Sequence, residues 1–445
     1  RVILVISSAL AFGFWSEVFA ESFGCPKPYS SHNPMSAVSF SKTYGGAYWD
    51  VAYSVQQTSD GGYILAGYTS SFSAGYYDIL LIKTDASGNI IWAKTYGGTD
   101  DDRAYSVQQT SDGGYIVAGG TESFGAGGDI LLIKTDASGN IIWAKTYGGT
   151  DVDGASSVQQ TSDGGYIVGG GTYSFGAGSA DIFLIKTDVN GNIIWAKTYG
   201  GTDYDWATSV RQTYDGGYIV AGVTGSFGSW DIFLIKTDAN GNLSWAKTYG
   251  GTYGEGASSV QQTSDGGYIV AGITWSFGAG DYDIFLIKTD ANGNIIWAKT
   301  YGGTSDDWAY FVQQTSDGGY IVAGWTLSFG AGNSDIFLIK TDANGSITWT
   351  KTYGGGSHDG ASSVQQTSDG GYILAGGTYS FGADSVDIFL VKTDANGNIG
   401  SCSIVRSVSP AVTTPSPTVN TPSPSVSSVS PIVNNVSPTV TSPTL

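Results

Sequence analysis

Val38-Ser39-Phe40-Ser41-Lys42-Thr43-Tyr44, followed by Gly45-Gly46, is the first copy of a motif that runs through the whole chain. Lys-Thr-Tyr-Gly-Gly begins at Lys42, Lys94, Lys145, Lys197, Lys247, Lys299 and Lys351, at spacings of 50 to 52 residues. In the later copies a Trp stands two residues before the Lys, at Trp92, Trp143, Trp195, Trp245, Trp297 and Trp349, and Phe40 takes that place in the first. The far end shows the complementary lack: Gly397-Asn398-Ile399-Gly400-Ser401-Cys402 has neither the Trp nor the motif. The chain therefore starts with the last strand of a repeat and ends without one. An open stack has no use for such an offset. A closed ring does, because the first strand completes the last repeat and no edge is left to aggregate.

Within a repeat the pattern is all strand. In the third copy, Ala155 to Thr161 is a short strand, Ser162-Asp163-Gly164-Gly165 a hairpin turn, and Tyr166 to Thr172 a second strand. A variable loop leads to a third strand, Asp181 to Thr187, and the turn Asp188-Val189-Asn190-Gly191-Asn192 to a fourth, Ile193 to Tyr199. The second and third strands are almost continuously apolar, as strands are when both faces of their sheet are covered. Neighbouring sheets stacked in a ring cover both. A β-helix, the rival, has shorter coils and no need of paired hairpins. The sequence predicts an all-β, closed seven-bladed β-propeller over residues 36–402, with four antiparallel strands per blade and the last blade completed by the amino-terminal strand.

Tyr96-Gly97-Gly98-Thr99-Asp100-Asp101-Asp102, continued by Ser111-Asp112-Gly113-Gly114-Tyr115 to Thr121, and its close variant Tyr147 to Thr172, resemble the seven-bladed β-propeller repeat family of bacterial and archaeal surface proteins. The resemblance spans roughly residues 38–399 and implies a secreted or cell-surface role. It implies no reaction.

The segments outside the ring point the same way. Residues 1–20 read as a signal peptide: Arg1, an apolar run from Val2 to Trp15, and a small residue, Ala20, at the expected cleavage site. Residues 21–35 form a lead segment. Cys25 and Cys402, the chain's two cysteines, would meet beside the ring closure as a disulfide. From 403 to 445 the chain is rich in Ser, Thr and Pro and holds eight of its eleven prolines; such a tract reads as a disordered, extended stalk. A net charge of −19 argues against nucleic acid, and the apolar run near the start is too short for a transmembrane span in the mature chain.

Chemistry must then be sought in the ring. The hairpin face is uniform, with an acid in each first turn: Asp60, Asp112, Asp163, Asp215, Asp265, Asp317 and Asp369. On the opposite face an acid stands eight residues after each repeat Lys, at Asp50, Asp102, Asp153, Asp205, Glu255, Asp307 and Asp359. Those acids either bind cations or sugar hydroxyls, with calcium the candidate ion, or accept backbone N–H groups in a turn. Around them the loops vary toward aromatics, and Trp49, Asp102, Tyr204, Trp206, Trp230 and Trp308 are the candidate ligand-binding residues. With His32 and His358 as the only histidines, no catalytic triad or His/Cys metal cluster is written in the chain. The expected function is a monomeric binding or adhesion propeller for carbohydrate or a surface protein. A glycoside hydrolase or lyase using carboxylates of that face, and a passive structural envelope module, are the alternatives.

Overall fold

The computed structural model describes residues 39–383, 385–400 and 404–415, together with the backbone of short strands as far as residue 441. It shows seven antiparallel blades in a closed ring, each with four strands from the repeats. Blade 1 spans 50–97, blade 2 102–148, blade 3 153–200, blade 4 205–250, blade 5 255–302 and blade 6 307–353. Blade 7 takes three strands from 359–393 and its outermost from Phe40–Tyr44. That strand pairs with the third strand of blade 7, Phe40 opposite Lys392 and Tyr44 opposite Ile388. The closure read from the offset is the closure of the fold.

Phe40 substitutes for the missing Trp in place as well as in sequence. Trp195 lies opposite Lys186 and meets Tyr218 of the next blade edge-on at 5.8 Å. Phe40 lies opposite Lys392 and meets Tyr63 of blade 1 edge-on at 6.2 Å. The Tyr of each motif bridges the same gap: Tyr199 donates its hydroxyl to the carbonyl of Gly241 at 2.5 Å, and Tyr44 donates across the closure to Gly88 at 2.6 Å. A buried phenol needs such a partner, so each joint is tied by a specific polar bond as well as by apolar contact.

The core fills the gaps between blades. The third strand is buried at every position in all seven blades, as Asp181–Thr187 illustrates. Between blades 3 and 4, Ile182, Leu184 and Tyr199 pack against Val210, Val220, Phe233 and Ile235. Each such side chain contributes roughly 1.5–3 kcal/mol by leaving water, which explains the continuous apolar runs. On the hairpin face Gly164 makes the turn with φ +84°, a conformation that favours glycine, and Asp163 accepts from the Thr161 hydroxyl and the Gly165 N–H. Lys186, nearly buried, completes the turn with an ion pair to Asp163 at 2.9 Å. In the second turn Asp188 accepts the N–H groups of Asn190 and Asn192, which is turn chemistry rather than a calcium loop.

The tail departs from the disordered stalk expected at 403–445. Its short strands add a fifth strand to six blades, running backward round the ring from blade 6 to blade 1. Val405, Val412, Val419, Val426, Val433 and Val440 lie opposite Tyr353, Tyr301, Tyr249, Tyr199, Tyr147 and Tyr96. Five of those valines belong to a heptad, Ser-Pro-x-Val, beginning at Ser409, Ser416, Ser423, Ser430 and Ser437. Outer blade edges present unpaired N–H and C=O groups, and the tail satisfies them without a core of its own. The prolines, which cannot donate to a ladder, fall between the pairing segments. The segments expected to be a signal peptide and a lead, and both cysteines, lie outside the described residues.

Candidate ligand face and central channel

The innermost strands, Asp50–Gln57 and its six counterparts, surround a central channel of about 1170 Å³. Each strand is interrupted by a bulge, in blade 3 between Ala155 and Ser157. The extra residue leaves the ladder and faces the channel. It is Tyr53, Tyr105, Ser156, Thr208, Ser258, Tyr310 or Ser362, and all seven line the cavity.

Deeper in the channel two polar rungs join blade to blade. Ser157 accepts the N–H of Val210 at 3.3 Å, and Ser54 that of Val107 at 3.2 Å. Below them, the side-chain carbonyls of Gln56, Gln108, Gln159, Gln261, Gln313 and Gln365 accept the N–H of the next blade's second Gln at 2.6–2.7 Å. Blade 4 carries Arg211 at this position.

Aromatic clusters crown the channel. Tyr204 stacks on Trp206 at 5.9 Å and 8°, and touches Trp230 at 5.5 Å. Trp308 stacks on Trp325 at 5.6 Å and 14°, with Tyr282 and Tyr310 beside it. Trp49 meets Tyr379 edge-on at 6.3 Å. Tyr53, Tyr68, Tyr77 and Tyr105 form a fourth group, into which Arg103 places its guanidinium 4.6 Å from the Tyr77 ring while pairing with Asp101.

Of the six residues expected to bind ligand, Trp206 lines the channel. Trp49, Tyr204, Trp230 and Trp308 belong to the surrounding clusters. Asp102 does not belong to a ligand surface. It is 0% exposed, and its Oδ2 accepts the Gly98 N–H at 2.8 Å and the Ser123 hydroxyl at 2.7 Å. The same bonds recur at Asp50, Asp153, Asp205, Asp307 and Asp359, so the acid ring closes turns between blades. Of the two roles the sequence offered these acids, the structure carries the turn. Sequence reading missed Tyr53, Tyr105, Tyr310, Trp325 and Arg211, which lie within strands; Trp206 and Trp308, expected in loops, are in fact the second residues of the innermost strands of blades 4 and 6.

A second buried acid faces each of these across the blade joint. A side chain on Gly148 would collide with both Asp129 and Asp153, which is why the motif needs glycine there. Burial pushes Asp129 up to about 6, against one hydrogen bond from Ala126 and with help from the Asp153 charge. Burial likewise takes Asp231, Asp307 and Asp387 to about 6, each with a neighbouring acid adding to the rise. Among the described residues no three acids, histidines or cysteines are grouped to hold a metal ion.

Fold and channel together define a β-propeller built from one repeat family. Residues 315–347 match a family profile described as a domain of unknown function (DUF5122) beta-propeller. The regulatory protein FlaEY of Caulobacter vibrioides is 24% identical over a match covering 41% of this chain and 23% of that protein. The chain thus spans about a quarter of that relative's length. Among solved structures, Sqt1 from Chaetomium thermophilum superposes with a TM-score of 0.44 at 12% identity, covering 74% of this chain and 79% of that one. Sqt1 bound to the N-terminus of the ribosomal protein L10 gives 0.41 at 11% identity, covering 78% and 97%.

Proposed function

We propose that the protein is a non-catalytic, secreted or cell-surface propeller that binds carbohydrate at the mouth of its central channel. One observation carries this reading: aromatic rings of differing identity crown a wide cavity whose walls present hydroxyls and amides. Sugars are recognised through such pairs of surfaces, an apolar ring face and a row of hydroxyls. The buried acids are committed to turns, which favours binding over hydrolysis by a carboxylate pair. The ring acts as a monomer in this reading, and a protein ligand is the competing occupant of the same mouth.

The test is a glycan array probed with the purified ring, with and without calcium, followed by calorimetry on the hits. Binding that weakens in Trp206→Ala and Trp325→Ala supports the reading. Release of shortened sugars from a hit would replace it with the hydrolase or lyase. Loss of binding on chelation would assign calcium a part in it. No binding to any glycan would leave the protein ligand or the passive envelope module.

A further inference from the structure

Arg211 breaks the rule that every other blade obeys. At its position the other six blades use a Gln whose carbonyl accepts a backbone N–H from the neighbour. Arginine has no acceptor to offer, so this bond cannot be made to Gln262. Blade 4 therefore gives up one rung of the ring to place a cation in the channel wall.

The cation is not neutralised. Arg211 donates from Nη1 to the Val210 carbonyl at 2.8 Å and to the Ser157 hydroxyl at 3.1 Å. Its Nε and Nη2 donate to no described residue, and among the described residues the arginine–carboxylate ion pair is that of Arg103 with Asp101. Both groups it bonds, the Ser157 hydroxyl and the Val210 carbonyl, are uncharged. Its place in the channel wall pulls its ionisation down from the usual arginine value, desolvation being the cause. Arg211 is part-buried, so the edge that makes no hydrogen bond remains accessible from the channel, where an anionic ligand can reach it.

We infer that the channel is a site for a carboxylate-bearing sugar, a uronic-acid oligosaccharide whose carboxylate pairs with the free edge of Arg211. The inference rests on the carbohydrate reading above and names the class of sugar. Guanidinium and carboxylate match in a fork-to-fork geometry that a neutral sugar cannot offer. The cavity exceeds the about 300–1000 Å³ of ordinary ligand sites, so a short chain has room to run from the aromatic mouth to the level of Arg211. Ser156, Thr208, Ser258 and Ser362 supply hydroxyls along that path, while Trp206 and Tyr310 supply ring faces.

Arg211→Gln is the decisive variant, because it restores the residue that the other six blades carry. It is expected to fold and to melt at the same or a higher temperature than the parent, since the rung to Gln262 can form again. Calorimetry with oligogalacturonate and with its methyl ester separates charge from ring recognition. The acid form is expected to bind the parent about tenfold or more tighter than the ester, with that advantage lost in Arg211→Gln and reduced by salt. Equal binding of acid and ester by the parent overturns the Arg211 site and leaves the carbohydrate reading standing. No binding of either overturns the uronic-acid inference and leaves the carbohydrate reading to the glycan array. Binding of polyglutamate but of neither sugar also overturns it, in favour of an acidic peptide. A marked loss of stability in Arg211→Gln would make the residue structural and end the inference.

Discussion

On the hairpin face Asp163 accepts from Thr161, Gly165 and Lys186, and the same set recurs in every blade. On the loop face Asp153 sits between two blades with Asp129 across the joint, and among the described residues it makes no ion pair. Both faces carry repeated acids, yet Asp60 on the hairpin face and Asp129 on the loop face are shifted in opposite directions. Burial works upward at Asp60, but hydrogen bonds from Thr58 and Lys83 outweigh it and bring the carboxyl to about 2. On the loop face burial prevails, and Asp129 rises to about 6. The hairpin face spends its charge on holding turns. The loop face tolerates strained acids below a surface that differs from blade to blade, and that variation is where a ligand is distinguished.

The largest expected effect removes the seam that both faces share. Deleting residues 36–46 takes away the outer strand of blade 7, the Phe40–Tyr63 contact and the Tyr44 bond to Gly88. The loss should be comparable to the whole stability of a domain, about 5–15 kcal/mol. Urea denaturation followed by tryptophan fluorescence is expected to show no cooperative transition. A variant that unfolds like the parent would mean the ring holds without its seam.

Next comes the pH profile, which sets the two faces against each other. An acid raised in the fold holds its proton more tightly than in the unfolded chain, where its pKa is about 3.9. For Asp129, Asp231, Asp307 and Asp387 the stabilising contribution is therefore full below about 4 and is lost as pH rises through about 6. For Asp60, Asp112, Asp215, Asp265 and Asp317, held at about 2, it is full above about 4 and is lost as pH falls toward 2. Stability should peak between about pH 4 and 5 and decline on both sides. Denaturation midpoints measured across that range test it, and Asp129→Asn should flatten the alkaline limb only. A profile still rising at pH 7 would contradict the loop-face assignment.

The fold was legible because its evidence was written in register: Phe40 in the place of a Trp, and a repeat that starts one strand early. The tail was legible too, in Ser-Pro-x-Val at five successive heptads, but composition drew attention first. A Ser/Thr/Pro tract reads as a spacer until Val412 and Val426 are set opposite Tyr301 and Tyr199. The site was half legible. Aromatics near the blade ends such as Trp206 and Trp230 stand out from the repeat, whereas Tyr53 and Tyr310 reach the channel only because a bulge turns them inward. Nothing local in the sequence announces that bulge. Arg211 was visible as the one Arg among six Gln, and it gains meaning only when those Gln are seen to bond around a ring.

The smallest expected effect separates two tryptophans that the sequence treats alike. Trp206 lies over Gly171, donates its Nε1 to the Ser156 hydroxyl at 3.1 Å and lines the channel. Trp230 is 53% exposed, stands at φ 67° and reaches Trp206 only through Tyr204. Trp206→Ala should cost about 1–3 kcal/mol in ligand binding and on the order of 1 kcal/mol in stability, because it removes both a wall of the channel and a packed ring. Trp230→Ala should leave stability within about 0.5 kcal/mol, since the ring covers little and a non-glycine residue at positive φ contributes nothing favourable by its backbone. Any loss of binding in Trp230→Ala is then a direct contact at the rim. Parallel denaturation and calorimetry on the two variants separate the cases. Equal stability losses would show that the aromatics of this face are packing throughout, and the contrast between the faces would then lie in their acids alone.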